Sequence, residues 1–332
     1  MTRLFPLDKL EAIFLWLPRA DFPMTSAKIA IIGECMIELS QKGADLARGF
    51  GGDTLNTAVY LARQVPAERL AVHYVTALGC DTFSGEMIDA WRQEGLETDL
   101  IQRMSDKLPG LYVIETDDHG ERTFYYWRND AAARYWLKSV EADAICDRLA
   151  EFDYLYLSGI SLAILDEASR ARLMLLLQRC RDKGGKVIFD NNYRPRLWAD
   201  AEQARVAYRA MLACTDIAFL TLDDEDLLWG EQPLDAVLER THALGVGEVV
   251  IKRGADACLV SIGAQRYEIP AVKLAKECVV DTTAAGDSFS AGYLSVRLLG
   301  GDAPSAAARG HLTASTVIQH RGAIIPRHAM PD

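Results

Sequence analysis

The sequence lacks paired cysteines. Its seven cysteines are scattered along 332 residues, are odd in number and include no C-x-x-C pair. This distribution argues against a zinc site and against a disulfide framework. It fits reduced, mostly buried thiols in a cytoplasmic protein.

An excess of positive charge is also missing. The chain carries 36 lysines and arginines against 47 aspartates and glutamates, a formal net charge of −11. Nonspecific binding to nucleic acid or to an anionic membrane surface is therefore not expected. If the substrates are anions, local positive charge must meet them, so the positions of arginines become informative.

The apolar run near the N-terminus is too short to cross a bilayer. It covers residues 10–17 (LEAIFLWL), is interrupted by Glu11 and lacks a small-residue cleavage site. A membrane span needs about 20 apolar residues, and a secretory signal needs the cleavage site. Neither a membrane anchor nor a signal peptide is predicted.

Two kinase patterns are absent as well. The sequence contains neither the P-loop pattern G-x-x-x-x-G-K-[S/T] nor the loop set of protein kinases, which excludes both chemistries. There is no internal repeat, no low-complexity linker and no composition break. No second independent domain is therefore indicated.

What is present is a regular alternation of strand and helix patterns. Short apolar runs such as 28–33 (KIAIIG) and 186–190 (KVIFD) predict buried strands, and 54–64 and 166–182 have the spacing of helices. This alternation predicts an α/β fold with a mostly parallel central sheet flanked by helices.

A different pattern interrupts this series between residues 98 and 128. The segments 111–116 (LYVIET) and 122–127 (RTFYYW), joined by a polar turn at 117–120, predict a β-hairpin. A hairpin inserted in a βα series should project from the main sheet. We expect a small β lid built from this region and from residues near 34–50.

The predicted hairpin also carries chemistry. Tyr126 and Arg128 stand close together, and Tyr112 falls on the facing strand. A guanidinium suits bidentate recognition of a sugar-acid carboxylate. The pattern alone, however, favours an aromatic cross-strand cluster beside a solvated arginine.

The chain is organised around residues 280–294, VDTTAAGDSFSAGYL. A turn of small residues leads into a helix start, where unpaired N–H groups and the helix dipole attract phosphate or a developing anion. Asp287 beside such an anion site suggests proton abstraction. The alternative, that Asp287 only caps the helix, is equally good from these residues alone.

This stretch resembles the second signature of the ribokinase-like (PfkB-type) carbohydrate kinases. In that family the closing aspartate is the catalytic base and the small residues before it form the anion hole, which implies these roles for Asp287 and for Ala284, Ala285 and Gly286. The family usually has Gly-Ala-Gly-Asp. The change from glycine to alanine keeps the N–H group but removes freedom to adopt a positive φ.

Residues 51–58, GGDTLNTA, resemble the first signature of the same family. There the double glycine and the asparagine line the sugar pocket, which implies Gly51, Gly52 and Asn56 as substrate-site residues, with Asp53 a weaker candidate. The resemblance runs from about Lys28 to the C-terminus and implies a ribokinase-like fold.

The Asp-Thr variant of the first signature is typical of the branch of the family that phosphorylates 2-keto-3-deoxygluconate. Kinases of that branch bind the keto acid through a Tyr-x-Arg on the lid. Tyr112, Tyr126 and Arg128 match it in type and spacing. The resemblance therefore favours substrate binding over a solvated arginine.

Residues 190–198, DNNYRPRLW, resemble the family's Asp-x-Asn-x-Arg-x-x-Leu-Trp. This resemblance implies that Arg194 binds substrate and that Asn192 lies beside ATP. Residues 249–260 resemble the nucleotide loop, although Ala257 replaces its second glycine. The remaining ATP-site candidates implied by the family are Thr221, Lys252, Gly254 and Asp256.

The metal assignment is weak. The family carries an Asn-x-x-Glu that positions Mg²⁺ through water and phosphate, but this chain has Thr221 where the asparagine is usual. Three acidic residues, 223–225, compete for the role, and Asp224 is the candidate chosen. An acidic helix start is also ordinary dipole complementation.

The resemblance thus implies a kinase that uses ATP and Mg²⁺ to convert 2-keto-3-deoxygluconate to 2-keto-3-deoxy-6-phosphogluconate. A homodimer formed through the lid is also expected, because an exposed small sheet favours a partner. Residues 28–332 would form the kinase domain, and 1–27 an extension, with Met24 a candidate start. The alternatives are another ribokinase-like kinase, for fructose or 5-dehydro-2-deoxygluconate, and a non-catalytic sugar or nucleotide sensor.

Overall fold

The computed structural model describes residues 26–42, 45–116 and 122–331. The strands in chain order are β1 (Ala27–Ile32), β2 (Met36–Lys42), β3 (Asp45–Gly51), β4 (Leu70–Val75), β5 (Ala77–Gly79), β6 (Gln102–Met104), β7 (Leu111–Thr116), β8 (Arg122–Trp127), β9 (Tyr154–Ser158), β10 (Lys186–Asp190), β11 (Ile217–Thr221), β12 (Glu248–Lys252), β13 (Cys258–Ile262) and β14 (Gln265–Ile269).

The α-helices are α1 (Asp53–Ala62), α2 (Thr82–Gln93), α3 (Ala142–Leu149), α4 (Gly159–Ala163), α5 (Glu167–Asp182), α6 (Ala201–Leu212), α7 (Leu222–Trp229), α8 (Leu234–Ala243), α9 (Ala285–Arg297) and α10 (Ala303–Val317). Short 3₁₀ helices lie at Ala132–Tyr135, Pro195–Leu197, Lys276–Cys278 and Arg327–Ala329. Among the described helices, none combines the length and the apolar character needed to cross a membrane.

Within the described residues, an eight-stranded sheet has the order β14-β13-β12-β11-β10-β9-β1-β4. Strands β4 to β12 of that order are parallel, and β13 and β14 are antiparallel additions at one edge. The predicted mostly parallel sheet is confirmed. Connections through helices allow parallel pairing and cover the sheet on both faces.

Alternate residues of a strand serve two hydrophobic cores. In β1, Ile29 and Ile31 pack into one cluster with helices α1 and α9, whereas Ala30 and Ile32 pack into the other with helices α4 to α6. Because both faces are buried, these strands read as continuous apolar runs rather than as alternating ones. Burial on both faces also fixes the strand register, since a slip by one residue would exchange the two cores.

The lid is a second sheet with the order β3-β2-β7-β8. Strands β7 and β8 form the predicted antiparallel hairpin, in which Tyr112 pairs with Tyr126. The turn predicted at 117–120 lies outside the described residues. The second predicted lid segment, residues 98–128, contributes lid strands only from Leu111 onward. Its earlier strand, β6, pairs with β5 and not with the lid. The strand predicted over 73–78 is divided between β4 and β5.

The turn from β9 into α4 depends on a close approach at Gly159. A Cβ atom at this position would lie 1.9 Å from the Tyr208 hydroxyl and 2.1 Å from the Asn191 carbonyl oxygen. That hydroxyl donates a hydrogen bond to the same carbonyl, over 2.5 Å. Gly159 therefore fixes the segment that follows β10 at the carboxyl edge of the sheet.

We expect Gly159→Ala to destabilise the fold by about 2 kcal/mol or more, because the backbone or the buried tyrosine must move. The matched control is Gly85→Ala in α2, where a Cβ would meet nothing within 4 Å. That change should stabilise the fold by up to about 1 kcal/mol. Urea unfolding of both variants measures the difference, and equal effects would contradict the role given to Gly159.

Candidate active site

Polar side chains converge at the carboxyl ends of the parallel strands. Asp190 ends β10, Thr221 ends β11 and Lys252 ends β12, and all of them lie at the edge that faces the start of α9. In open α/β sheets this edge is where ligands bind. The lid strands leave the main sheet from the same edge, after β1.

The start of α9 has an unusual backbone. Ala284 is the residue before the helix and has φ 61° and ψ 16°, in the left-handed region. Helix α9 begins at Ala285, so Asp287 is its third residue, and no side chain caps it. The cap interpretation of Asp287 is therefore wrong. The amides of the first turn have no acceptor inside the helix and point out of its end.

Asp287 lies partly buried between α9 and α1. Its Oδ2 accepts a hydrogen bond of 2.8 Å from the Asn56 side-chain amide. Loss of hydration, followed by the negative charge of Asp53, raises the pKa of Asp287 to about 7. The Asn56 hydrogen bond and the positive charge of Lys252 oppose the rise, and Asp190 adds to it. Near neutral pH this carboxyl can both hold and release a proton.

A buried ion pair lies beside Asp287. Lys252 Nζ is 2.7 Å from Asp190 Oδ2, and Ser290 donates to the same oxygen over 2.9 Å. A Cβ at Gly286 would lie 3.3 Å from Lys252 Nζ. The ammonium group therefore touches the start of α9, where it adds positive charge to the helix end.

The first helix brings a second carboxylate into the site. Asp53 is the first residue of α1, and its Oδ2 accepts a 2.5 Å hydrogen bond from the Asn192 amide. Asn192 itself has a positive φ of 25°. Two segments that are far apart in sequence, 51–56 and 190–194, thus come together next to Asp287.

Among the three consecutive acidic residues, only Asp224 faces this cleft. It accepts hydrogen bonds of 3.3 Å from the Tyr193 amide and from Arg194. Burial raises the pKa of Asp224, while the charge of Arg194 opposes the rise. Glu225 lies behind it, fully buried and paired with Arg240, and Asp223 is exposed. No cluster of three or more acidic, histidine or cysteine side chains suited to a metal ion exists in the part of the chain described.

Two predicted ATP-site residues lie away from this cluster. Gly254, with φ 59°, and Asp256 are exposed at the tip of the turn between β12 and β13. No described contact joins either one to Asp287. Thr221 contributes its backbone, since its N–H and carbonyl both bond to the side chain of Asn191, over 3.0 and 3.1 Å.

The lid residues also assemble, but each already has a protein partner. The rings of Tyr112 and Tyr126 are 5.8 Å apart, and the Tyr112 hydroxyl donates to Glu38. Gly51 lies under this hydroxyl, where a Cβ would be 2.0 Å away from it. Arg128 is buried and paired with buried Glu34, so the solvated-arginine interpretation is wrong.

Glu34 and Glu38 are polar residues of the site that are not among the predicted site residues. Burial raises the pKa of Glu34, although Arg128 opposes the rise. A signal for Glu34 was present, because it comes two residues after a buried strand, at the carboxyl edge where α/β sheets bind ligands. Glu38 had no such signal, since its partner Tyr112 is 74 residues away.

The family model for pfkB family carbohydrate kinases matches residues 26–330. The chain is 75% identical over 309 residues to the 2-dehydro-3-deoxygluconokinase of Dickeya dadantii (strain 3937), covering 93% of this chain and 100% of that protein. It is 70% identical over 307 residues to the protein of that name from Escherichia coli (strain K12), covering 92% and 99%.

Among solved structures, the fold is similar to that of a fructokinase with bound ATP from Xylella fastidiosa. The TM-score is 0.77 at 24% identity, over 92% of this chain and 95% of the fructokinase. At that identity the likeness concerns the fold alone. It agrees with the mostly parallel sheet and the small lid sheet described above.

The raised pKa of Asp287 predicts that this residue destabilises the fold at alkaline pH. Its proton is held more tightly in the folded state, where the pKa is about 7, than in the unfolded chain, where it is 3.8. The penalty is absent below the unfolded value, grows between the two and is complete above about pH 7. Asp287→Asn should therefore be more stable than the wild type by a few kcal/mol at about pH 8.5, and by only about 1 kcal/mol at about pH 4.5.

Urea unfolding at both pH values measures this difference. Asp302→Asn is the control, because a hydrogen bond from the Ser305 amide lowers the pKa of Asp302. Its titration is complete below about pH 4, so its difference from the wild type should be equal at both pH values. An Asp287→Asn difference that did not grow with pH would contradict the raised pKa.

Proposed function

This chain belongs to the pfkB family of carbohydrate kinases, and from that premise we propose that it phosphorylates 2-dehydro-3-deoxygluconate, which is the same compound as 2-keto-3-deoxygluconate. ATP is the phosphoryl donor and 2-keto-3-deoxy-6-phosphogluconate the product. The observation that carries this proposal is the 70–75% identity, over more than nine-tenths of the chain, to proteins named for this activity.

Asp287 is proposed as the general base. Phosphoryl transfer needs an acceptor for the proton of the attacking hydroxyl, and a carboxylate with a pKa near 7 is well matched to this task at neutral pH. The pKa of Asp287, at about 7, meets that requirement. The Asn56 hydrogen bond occupies only one of its oxygens, which leaves the other for the substrate.

The start of α9 and Lys252 are proposed to stabilise the charge on the transferring phosphoryl group. The proposed donors are the backbone N–H groups at Ala284, Ala285 and Gly286, of which that of Ala285 also donates to the Thr282 carbonyl oxygen over 3.2 Å, and Lys252 lies against Gly286. Such donors are already oriented before reaction and cost no reorganisation. Lys252 must then share its charge between Asp190 and the phosphate.

We propose Mg²⁺ as the accompanying cation, held by ATP phosphates and, through water, by Asp224. The partly buried Asp224 carboxylate fits a hard cation that keeps part of its water shell. When bound, Mg²⁺ neutralises phosphate charge. Asn192, Thr221, Gly254 and Asp256 are proposed to contact ATP.

The substrate is proposed to lie between the lid and the carboxyl edge of the sheet. Tyr112, Tyr126 and Arg128 would bind it from the lid, and Arg194 from the loop after β10. The floor would be formed by Gly51, Gly52, Asp53 and Asn56. Arg194 supports this placement, since about half of its side chain is exposed beside Asp224, and a guanidinium matches a carboxylate in bidentate geometry.

Two coarser proposals concern location and chain organisation. All seven cysteines are free, which supports a cytoplasmic location with reduced thiols. The family model begins at residue 26 and β1 at Ala27. We propose that residues 28–332 form the kinase domain and that 1–27, most of which lie outside the described residues, are an extension.

The proposed activity predicts selective turnover of the keto-deoxy acid. With ATP and Mg²⁺, ADP release should be fast with 2-keto-3-deoxygluconate and slow with gluconate, fructose and ribose. Asp287→Asn should lower kcat by about two to four orders of magnitude, since the proton acceptor is lost, while ATP binding remains measurable by calorimetry.

Turnover of fructose or ribose instead would be consistent with the family assignment but would contradict 2-keto-3-deoxygluconate as the substrate. Absence of turnover with every sugar, together with binding of ATP and a sugar, would favour a sensor. Near-normal turnover by Asp287→Asn would remove this residue as the base.

We further propose that two copies of the chain pair through the lid. The lid face opposite Tyr112 exposes Leu46, Tyr125 and Trp127, at 57, 45 and 61%. Trp127 also lines a cleft of about 670 Å³ beside Phe83 and Leu111. Exposed aromatic side chains and the open edges of a small sheet both favour a partner, and a second copy carries the same surface.

Light scattering coupled to gel filtration tests this pairing. The wild type should be a dimer, and Trp127→Glu a monomer, because a charge would be buried in an apolar interface. Leu175→Glu on α5 is the control, since Leu175 is 68% exposed and lies away from the lid. A monomeric wild type, or a dimeric Trp127→Glu, would contradict the proposal.

A further inference from the structure

All four strands of the lid enter or leave it at one point. Glu34 comes two residues before β2, Gly52 directly follows β3, Gly110 directly precedes β7, and Arg128 directly follows β8. Glu34 contacts each of the other three. Its side chain pairs with Arg128, its carbonyl oxygen would be 2.2 Å from a Cβ at Gly52, and its Oε1 would be 2.9 Å from one at Gly110.

The Glu34–Arg128 pair is almost completely buried but not completely satisfied. The side chains are 1% and 8% exposed. Glu34 Oε1 and Arg128 Nε both lack a hydrogen-bond partner among the described residues. Buried ion pairs are stable when further hydrogen bonds satisfy them, and buried polar atoms without partners are rare. This pair therefore retains bonding capacity on both members.

We propose that Glu34 is the positioning residue for Arg128: it holds one edge of the guanidinium at the base of the lid so that another edge can bind the carboxylate of the sugar acid. The inference rests on the proposed function. It deepens that function by naming the residue that orients the carboxylate-binding arginine.

The chemistry of the substrate decides which kinetic constant responds. The carboxylate is at C1 and the reacting hydroxyl at C6, at opposite ends of the carbon chain. The contact with Arg128 is therefore the same before and during phosphoryl transfer. Loss of an interaction made equally in both states raises KM and leaves kcat nearly unchanged.

The experiment compares Glu34→Gln, Arg128→Met and the double variant with the wild type, all with ATP and 2-keto-3-deoxygluconate. Glu34→Gln should raise KM for the sugar acid by about tenfold or more, since a neutral amide holds the guanidinium less firmly than a carboxylate does in the orientation that the sugar acid needs. Its kcat and its KM for ATP should change less than about threefold. In the double variant, the glutamate change should add nothing to the effect of Arg128→Met, because Glu34 acts only through that arginine.

Glu248→Gln is the matched control. Glu248 is buried and pairs with Arg297 over 2.8 Å, but it begins β12 at the edge opposite the site. This variant should lose stability and keep the wild-type KM. Additive effects of Glu34→Gln and Arg128→Met, or a loss confined to kcat, would overturn the proposal.

A folding defect in Glu34→Gln would not end the test. Glu34→Asp keeps the charge but withdraws it by one methylene, and it should raise KM for the sugar acid without changing KM for ATP. An unchanged KM for the sugar acid in Glu34→Asp would overturn the proposal. A wild type that does not phosphorylate 2-keto-3-deoxygluconate rejects the proposed function instead, before any variant is measured.

Discussion

Charge compensation at the carboxyl edge of the sheet is the constraint on which the site depends. Asp53, Asp190, Asp224 and Asp287 are brought together there by four different elements. Carboxylates crowded in a poorly hydrated cleft cannot all ionise freely unless cations and donors are interleaved with them. Asn192 donates to Asp53, and Lys252 pairs with Asp190. Arg194 pairs with Asp224, and Asn56 donates to Asp287.

These carboxylates have different roles because they have different numbers of cations and hydrogen-bond donors around them. Asp190 pairs with a buried ammonium and accepts from a hydroxyl, and so has a structural role. Asp287 is poorly hydrated and feels the negative charge of its neighbours, and among the described residues its carboxylate accepts a hydrogen bond from one amide, so its pKa rises. A rigid scaffold can thus raise the pKa of an ordinary carboxyl, and make it a base, by burying it with few hydrogen-bond donors. The price is stability, since the ionised form is disfavoured in the fold.

The backbone at Ala284 shows a similar cost. A residue with a Cβ in the left-handed region costs about 1 kcal/mol relative to glycine, yet the turn keeps this geometry. Asp281 holds the segment through both carboxylate oxygens. Its Oδ1 accepts hydrogen bonds from the Thr283 amide, over 3.0 Å, and from the Thr283 hydroxyl, over 2.7 Å. Its Oδ2 accepts one from the Gly322 amide, over 2.8 Å. Those bonds compensate for the missing glycine, so the amides of α9 still point into the cleft.

The elements could be predicted from sequence because their signals are local. Apolar runs gave the strands of the main sheet, and period-two alternation gave the β7–β8 hairpin. Signature motifs indicated which segments would meet at the site. What could not be predicted is pairing between distant segments. The hairpin pattern predicts that Arg128 faces substrate or solvent, whereas its partner is Glu34, 94 residues away. Nothing local in the sequence distinguishes Asp224, the weak metal candidate, from its two acidic neighbours, since the difference lies in which carboxylate Arg194 and Tyr193 reach.

Each of the three cations assigned to anionic ligands is paired with a carboxylate. Lys252 is held by Asp190, Arg194 by Asp224, and Arg128 by Glu34. Lys252 and Arg128 are buried, and a buried cation without a counter-charge is too costly to keep in an empty site, so these two must have a carboxylate before any ligand arrives. Ligand binding is then a sharing of the cation between two anions rather than the neutralisation of a free charge. Affinity in such a site depends on the carboxylate that pairs with each cation as well as on the cation itself. Sequence motifs that identify only the cation therefore leave this carboxylate unidentified.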